Sequence, residues 1–166
     1  MEVPEDHVKI VEDLRAAVGA ENILDSKIPR PRRVFLTIKT EKLKDAVALL
    51  VNGEFPHLST ISGADIGDGI LVVYHFTRQG HRKGLTLSLR VKIPMENPVL
   101  PTIADITPSS SFYEREVHDM FGVVFEGHPN LAPLELPDGW PEDLHPLLKK
   151  YKLDDIRKKL SEVGRD

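Results

Sequence analysis

The sequence predicts an α/β fold of the α+β kind: a mixed sheet of about four to five strands with helices packed on it, followed by an extended C-terminal tail. Three patterns predict it. Apolar residues recur at helical spacing near the N-terminus and again after residue 40. Residues 85–93 alternate strictly between apolar and polar. From Gly122 to Trp140, glycine and proline interrupt every regular period. The expected division is an α/β domain over residues 1–122, ending in a helix, and a tail over residues 123–166 that closes with a terminal helix.

The first helix is expected over residues 4–18, where Val8, Val11, Leu14 and Val18 share a face, the start is acidic and Gly19 is a stop. Ile28 to Arg33 reads IPRPRR and cannot be helix, because proline removes a donor and biases its neighbours to extended shapes. A strand at 34–39 follows. Thr40 should then cap a short helix with Leu43, Ala46, Val47 and Leu50 on one stripe, ended by Asn52 and Gly53. A meander at 57–66, 70–78 and 85–93 is joined by the Gly67-Asp68-Gly69 turn and a loop from Gln79 to Gly84. His75 and His81, on that strand and its following turn, read as structural or solvated. After Pro94 the chain should run extended, with a short strand at Thr102 to Ile106. Ser111 and Glu114 have capping-box spacing, and Tyr113, Val117, Met120 and Phe121 give the next helix one buried face before Gly122 stops it. The segment beyond has few internal ladder bonds and should lie along its own domain or a partner. Leu153, Ile156, Leu160 and Val163 mark the last helix.

Composition removes whole classes of function. With 40% hydrophobic and 29% charged residues the chain is globular, and it contains no cysteine, so thiolate nucleophiles, disulfides and thiolate-held zinc or iron–sulfur centres are excluded. No apolar run reaches the roughly 20 residues of a membrane-spanning helix, and the N-terminus lacks signal-peptide character. The expected location is cytoplasmic, with no direct membrane insertion. A net charge of −4 argues against nucleic acid as a partner. Lys149, Lys150, Lys152, Arg157, Lys158 and Lys159 form a local basic exception around Asp154 and Asp155, read as a solvated helix or a surface for an acidic partner.

The densest chemistry lies in Glu114 to Pro129, EREVHDMFGVVFEGHP. Glu114 and His118, like Arg115 and Asp119, stand four apart and share helix strips. A metal site from Glu114, His118 and one of His128 or His145 is one reading, and acid–base work by Glu114 or Glu116 with His118 is another. Neither is accompanied by a second helical histidine, a nucleophile motif or a phosphate-cradling loop. The favoured reading is that these charges lock the helix to the segment after it, with Arg115 holding a carboxylate or backbone carbonyls in its fork.

Glu114-Arg115-Glu116, Asp119-Met120-Phe121-Gly122, Phe125, Gly127-His128-Pro129 and Leu131, about a dozen positions at fixed spacing, resemble the signature of the 30 kDa subunit of respiratory complex I and its hydrogenase relatives. Motif-level similarity covers residues 112–151. The resemblance implies a non-catalytic scaffold subunit of the peripheral arm, binding no cofactor itself, on the cytoplasmic side of the membrane and peripheral through its complex. It implies docking against the large 49 kDa-type subunit related to nickel–iron hydrogenases, beside subunits that carry iron–sulfur clusters and, in some branches, nickel–iron. Residues 123–152 would run along that subunit, with Phe125, Leu131, Leu134 and Trp140 as anchors.

Two departures bear on the branch. Ala132-Pro133 replaces a basic pair, and His145-Pro146-Leu147-Leu148-Lys149 replaces His-Pro-Leu-Arg-Lys. With Leu136-Pro137-Asp138-Gly139-Trp140, they look more like membrane-bound hydrogenases or their sulfur-reducing relatives. The alternatives are the quinone-reducing respiratory subunit and, from another class, a free-standing metal-dependent enzyme using His118 and His128.

Overall fold

A computed structural model describes residues 5–78 and 84–163. In chain order the elements are α1 (Glu5–Val18), β1 (Ile23–Arg30), β2 (Arg33–Ile38), α2 (Leu43–Asn52), β3 (His57–Asp65), β4 (Ile70–Thr77), β5 (Thr86–Ile93), β6 (Val99–Pro101), α3 (Ser110–Phe121), β7 (Val124–Glu126) and α4 (Leu153–Val163). The main sheet has the order β1-β2-β5-β4-β3, and only the β2/β5 pair is parallel. The expected mixed five-strand sheet with helices is therefore present. His81 and most of the Gln79–Gly84 loop lie outside the described residues.

The period of two assigns the faces. Val34, Leu36 and Ile38 on β2, Ile70, Val72, Tyr74 and Phe76 on β4, and Leu87, Leu89, Val91 and Ile93 on β5 are buried in one cluster with the apolar stripes of α1 and α2. Burying a side chain of that size contributes about 1.5–3 kcal/mol. The opposite face, with Leu71, Val73, His75 and Thr77 half-buried, carries polar pairs instead: His75 Nε2 and Nδ1 each lie 3.0 Å from a serine hydroxyl, Ser62 and Ser88. Val8 is 44% exposed, so the core stripe of α1 runs through Ile10 rather than Val8.

Three local expectations are corrected. Thr40 does not cap α2: it begins a 3-10 turn, Thr40–Lys42, and the helix starts beyond it without a side-chain cap. The IPRPRR segment is non-helical and extended, as expected, and contributes strand residues as far as Arg30; β1 is a sheet edge, where the N–H that Pro29 lacks is tolerated. The short strand after Pro94 is Val99–Pro101, whereas the chain turns at Ile103, whose carbonyl accepts from the N–H groups of Ile106 and Thr107. Finally, the side chains of Ser111 and Glu114 form no capping box; both are used across the fold.

The chain after Gly122 re-enters the domain before it leaves. β7 pairs in parallel with β6, Leu100 opposite Phe125, which buries Val123 and Phe125 almost completely. Phe125 is thus a core residue of this chain, and its expected role as a partner anchor is corrected. The helix α3 seats on β3 through Gly63, where an added Cβ would stand 2.5 Å from the Phe121 ring.

Candidate docking site on the third helix

The N-terminal half of α3 carries a buried carboxylate. Glu114 has no exposed surface; Oε2 accepts from the Thr102 hydroxyl at 2.5 Å and Oε1 from the Ile103 N–H at 2.8 Å. Thr102 in turn accepts from the Ala104 N–H at 3.1 Å, fixing its proton toward Glu114. His128 completes the knot from the tail. Its Nδ1 accepts from the Asn130 N–H at 3.1 Å, so the ring proton sits on Nε2, which faces the Ser111 carbonyl at 3.2 Å and Glu114 Oε2 at 3.8 Å. Burial raises the Glu114 pKa, opposed by the Ile103, Thr102 and His128 interactions. The hydroxyl of Tyr74, also fully buried, is pushed well up by burial and by the Glu114 charge.

From the next residue and from one turn beyond it, α3 grips the backbone of the tail. Arg115 donates from Nε to the Ala132 carbonyl and from Nη2 to the Pro133 carbonyl, both at 2.7 Å. Asp119, 2% exposed, accepts with a single oxygen from the N–H groups of Leu134 and Glu135 at 2.8 Å and Leu136 at 3.3 Å. The anionic side chain and the cationic side chain thus take the donors and acceptors of successive peptide units, and charge-assisted bonds of this kind are the strong ones. The expected fork of Arg115 on backbone carbonyls is observed.

The end of the helix is fastened by histidines. Gly122 caps it in the left-handed region, φ 75°, and a Cβ there would lie 2.6 Å from the His145 ring. His145 Nδ1 donates to the Asp119 carbonyl at 3.0 Å, and His118 Nδ1 donates to the Val123 carbonyl at 2.9 Å. The Leu147 N–H reaches the Met120 carbonyl at 3.1 Å, and the Lys149 N–H reaches Asp65 on β3 at 2.8 Å. That bond, with one from the Gly67 N–H, holds the Asp65 carboxyl below its ordinary range. Leu144 and Leu148 are buried, and Trp140 Nε1 donates to the Leu144 carbonyl at 2.6 Å.

These bonds bring together Glu114 with His128, Arg115 and Asp119 with the 132–136 loop, and Gly122 with His145. Phe121 packs in the core, Met120 and Leu131 are half-buried against it, Gly127 takes a positive φ of 81°, and Pro146 is half-buried. Glu116 is exposed, as is Pro129. Glu114 and His118 spend their polar atoms on different partners, and among the described residues no group of three or more His, Asp or Glu converges on a metal position. Sequence reasoning missed Thr102, Asp65 and Gly63, none of which has a local signal; each acts on a partner far along the chain.

The fold and site together define a one-sided α+β domain whose signature helix uses buried charge to fasten a proline-rich segment. The chain belongs to the family described as "Respiratory-chain NADH dehydrogenase, 30 Kd subunit", which matches residues 36–157. It is 33% identical over 159 residues to the C subunit of the NADH-quinone oxidoreductase of Chloroherpeton thalassium, covering 92% of this chain and 64% of that one. It is 30% identical to the C subunit of the F(420)H(2) dehydrogenase of Methanosarcina mazei, covering 73% and 80%. Among solved structures, a chain of the membrane-bound sulfane sulfur reductase, an archaeal respiratory membrane complex, matches with a TM-score of 0.78 at 28% identity, covering 98% of this chain and 95% of that one. The trypsin-resistant fragment (1-134) of Nqo5 matches with a TM-score of 0.63 at 30% identity, covering 75% and 98%. This chain spans less than two thirds of the length of the bacterial relatives it matches, 64% in Chloroherpeton and Acidothermus. Among the described residues no helix is long and apolar enough to cross a membrane.

Proposed function

We propose that this chain is a non-catalytic scaffold subunit of a complex I-like membrane oxidoreductase of the hydrogenase or sulfur-reducing branch. It binds no cofactor and docks against a large nickel–iron-hydrogenase-like subunit, on the cytoplasmic side, among subunits that hold iron–sulfur clusters. The observation that carries this reading is the clasp of Arg115 and Asp119 on residues 132–136. All of its contacts go to main chain, so it holds the loop in one shape while leaving the side chains outward. Leu134 is 37% exposed and Val124 42%, and Val124 lines a cleft with Trp140, His118 and His145. A rigid loop presenting apolar side chains loses little conformational freedom on docking. The near-complete mutual coverage with the sulfane sulfur reductase chain supports the branch. Because the clasp reads only carbonyls and N–H groups, Ala132 and Pro133 can replace a basic pair without loosening it.

Identification of the neighbours in the natively purified complex is the test. A large hydrogenase-related subunit and cluster-bearing chains should copurify, and Leu134→Glu should reduce their recovery while the circular dichroism of the isolated chain is kept. Native purification without any cluster-bearing partner would overturn the reading. The quinone-reducing respiratory subunit is the second reading, favoured by 33–36% identity to the C subunits of two bacterial NADH-quinone oxidoreductases. Quinone reduction by the purified complex, with no sulfur reduction or hydrogen evolution, would select it.

A further inference from the structure

The tip of the β1–β2 hairpin gathers charge that no described carboxylate neutralises. Arg30 and Arg33 stand directly opposite each other in the antiparallel ladder, Arg32 lies in the turn between them, and all three line one shallow cleft with Pro31, Gly84 and Thr86. Like charges directly opposite in a ladder are destabilising. Among the described residues, none of the three guanidiniums makes an ion pair or side-chain hydrogen bond. The nearby carboxylate on β1, Asp25, is shared between Lys27 at 3.3 Å and Arg90 at 3.2 Å. The sequence that enters β5, Gln79 to Lys83, contains no acid. In a chain of net charge −4 this concentration of arginine stands apart from the whole.

The tip is also held in place. Pro29 and Pro31 restrict the backbone on either side of Arg30, the Thr86 N–H donates to the Arg32 carbonyl at 3.1 Å, and Arg33 pairs in register with Thr86 on β5. Three guanidinium forks on a fixed backbone are suited to carboxylates, which they can engage in bidentate geometry. In the basic cluster near the C-terminus, by contrast, carboxylates are interspersed: Lys159 is paired with Asp143 at 2.6 Å and Arg157 with Asp154 at 3.5 Å.

We infer that the arginine tip formed by Arg30, Arg32 and Arg33 is a second docking point, receiving an acidic, Asp/Glu-rich segment of a neighbouring protein chain. This rests on the proposed place in a multi-subunit complex, and uses a surface separate from the α3 clasp. The direct probe is a labelled peptide of alternating Glu and Asp, measured by fluorescence anisotropy against the full chain at about 0.15 M salt. The wild-type chain should bind it, and R30Q/R33Q should weaken binding about tenfold or more, while K150Q/K152Q/K158Q leaves it unchanged. Equal binding by R30Q/R33Q, or an equal loss in the lysine variant, overturns the inference. So does Arg30/Arg33-dependent binding of phosphatidylglycerol vesicles or inorganic phosphate in preference to the peptide. In the assembled complex, a photo-crosslinker at position 31 should mark an acidic stretch of a neighbouring subunit. A complex that assembles normally but gives no protein crosslink there sinks this inference and leaves the scaffold reading standing.

Discussion

Beneath α1 and α2 the sheet is closed by aliphatic and aromatic side chains, while the loop from Asn130 to Leu136 buries little of its surface and is held by the side chains of Arg115, Asp119, His128 and Asn130. Apolar burial is non-directional, so volume-conserving exchanges in the first region cost little. The clasp is directional. Arg115 matches two carbonyls and Asp119 three N–H groups, so shape and charge must both be right. One region therefore supplies global stability, and the other supplies the position of a surface that would otherwise have none.

The largest effect should come from the core. Leu89→Ala, at a fully buried position between two strands, should cost about 2–5 kcal/mol in urea unfolding and destabilise sheet and tail together. Gly122→Ala should act on the second region, because its φ of 75° and the His145 ring at 2.6 Å both oppose a Cβ. A local cost of about 1–3 kcal/mol is expected, read as faster trypsin cleavage at Lys149 and Lys150 with the sheet's amide exchange unchanged. Asp119→Ala leaves three N–H groups without their acceptor. Amide exchange at Leu134 and Glu135 should accelerate by the equivalent of about 1–3 kcal/mol, and equal acceleration in β4 would break the comparison by making the clasp part of the core. Arg115→Lys keeps the charge but cannot bridge two carbonyls, and should cost about 1 kcal/mol at the same loop.

The smallest effect is a pH dependence from Glu114. Its pKa is raised in the folded chain from an ordinary 4.5, so the folded state binds that proton more tightly than the unfolded one. The stability this contributes is fully present below the unfolded value and is lost as pH rises through the folded value. The carboxylates of Asp65 and Asp105, whose pKa values are lowered, act in the opposite direction. Comparison of wild type with Glu114→Gln isolates the group: the variant's stability should fall less as pH rises from 4.5 toward neutrality. Parallel curves would mean that Thr102, Ile103 and His128 fully offset the burial.

The same division explains what could be read from the sequence. β5 was legible because its apolar and polar residues alternate, β4 because it is apolar on both faces, and α2 because its stripe has a helical period. β1 was missed because edge strands tolerate proline, and β7 because three residues carry no period. In the site, Arg115 was legible in kind, since a guanidinium four residues from a carboxylate on a helix that precedes a proline-rich loop has few other uses. Ser111 and Glu114 misled: their spacing fits a capping box, but Thr102 and Ile103 offer Glu114 a buried pair of donors that the helix end cannot match.

By itself, the sequence determined the two-layer class, the helix that carries the signature, the absence of thiolate chemistry and the family, because periodicity, residue type and fixed spacing are local properties. Only the tertiary structure decided which way the tail runs, that Phe125 belongs to this chain's own core, and that Asp119 serves the backbone of residues 134–136. Those outcomes depend on groups 15 or more residues apart meeting at hydrogen-bond distance. No local pattern encodes such meetings; they are set when the sheet, the helix and the β6–β7 pair close together.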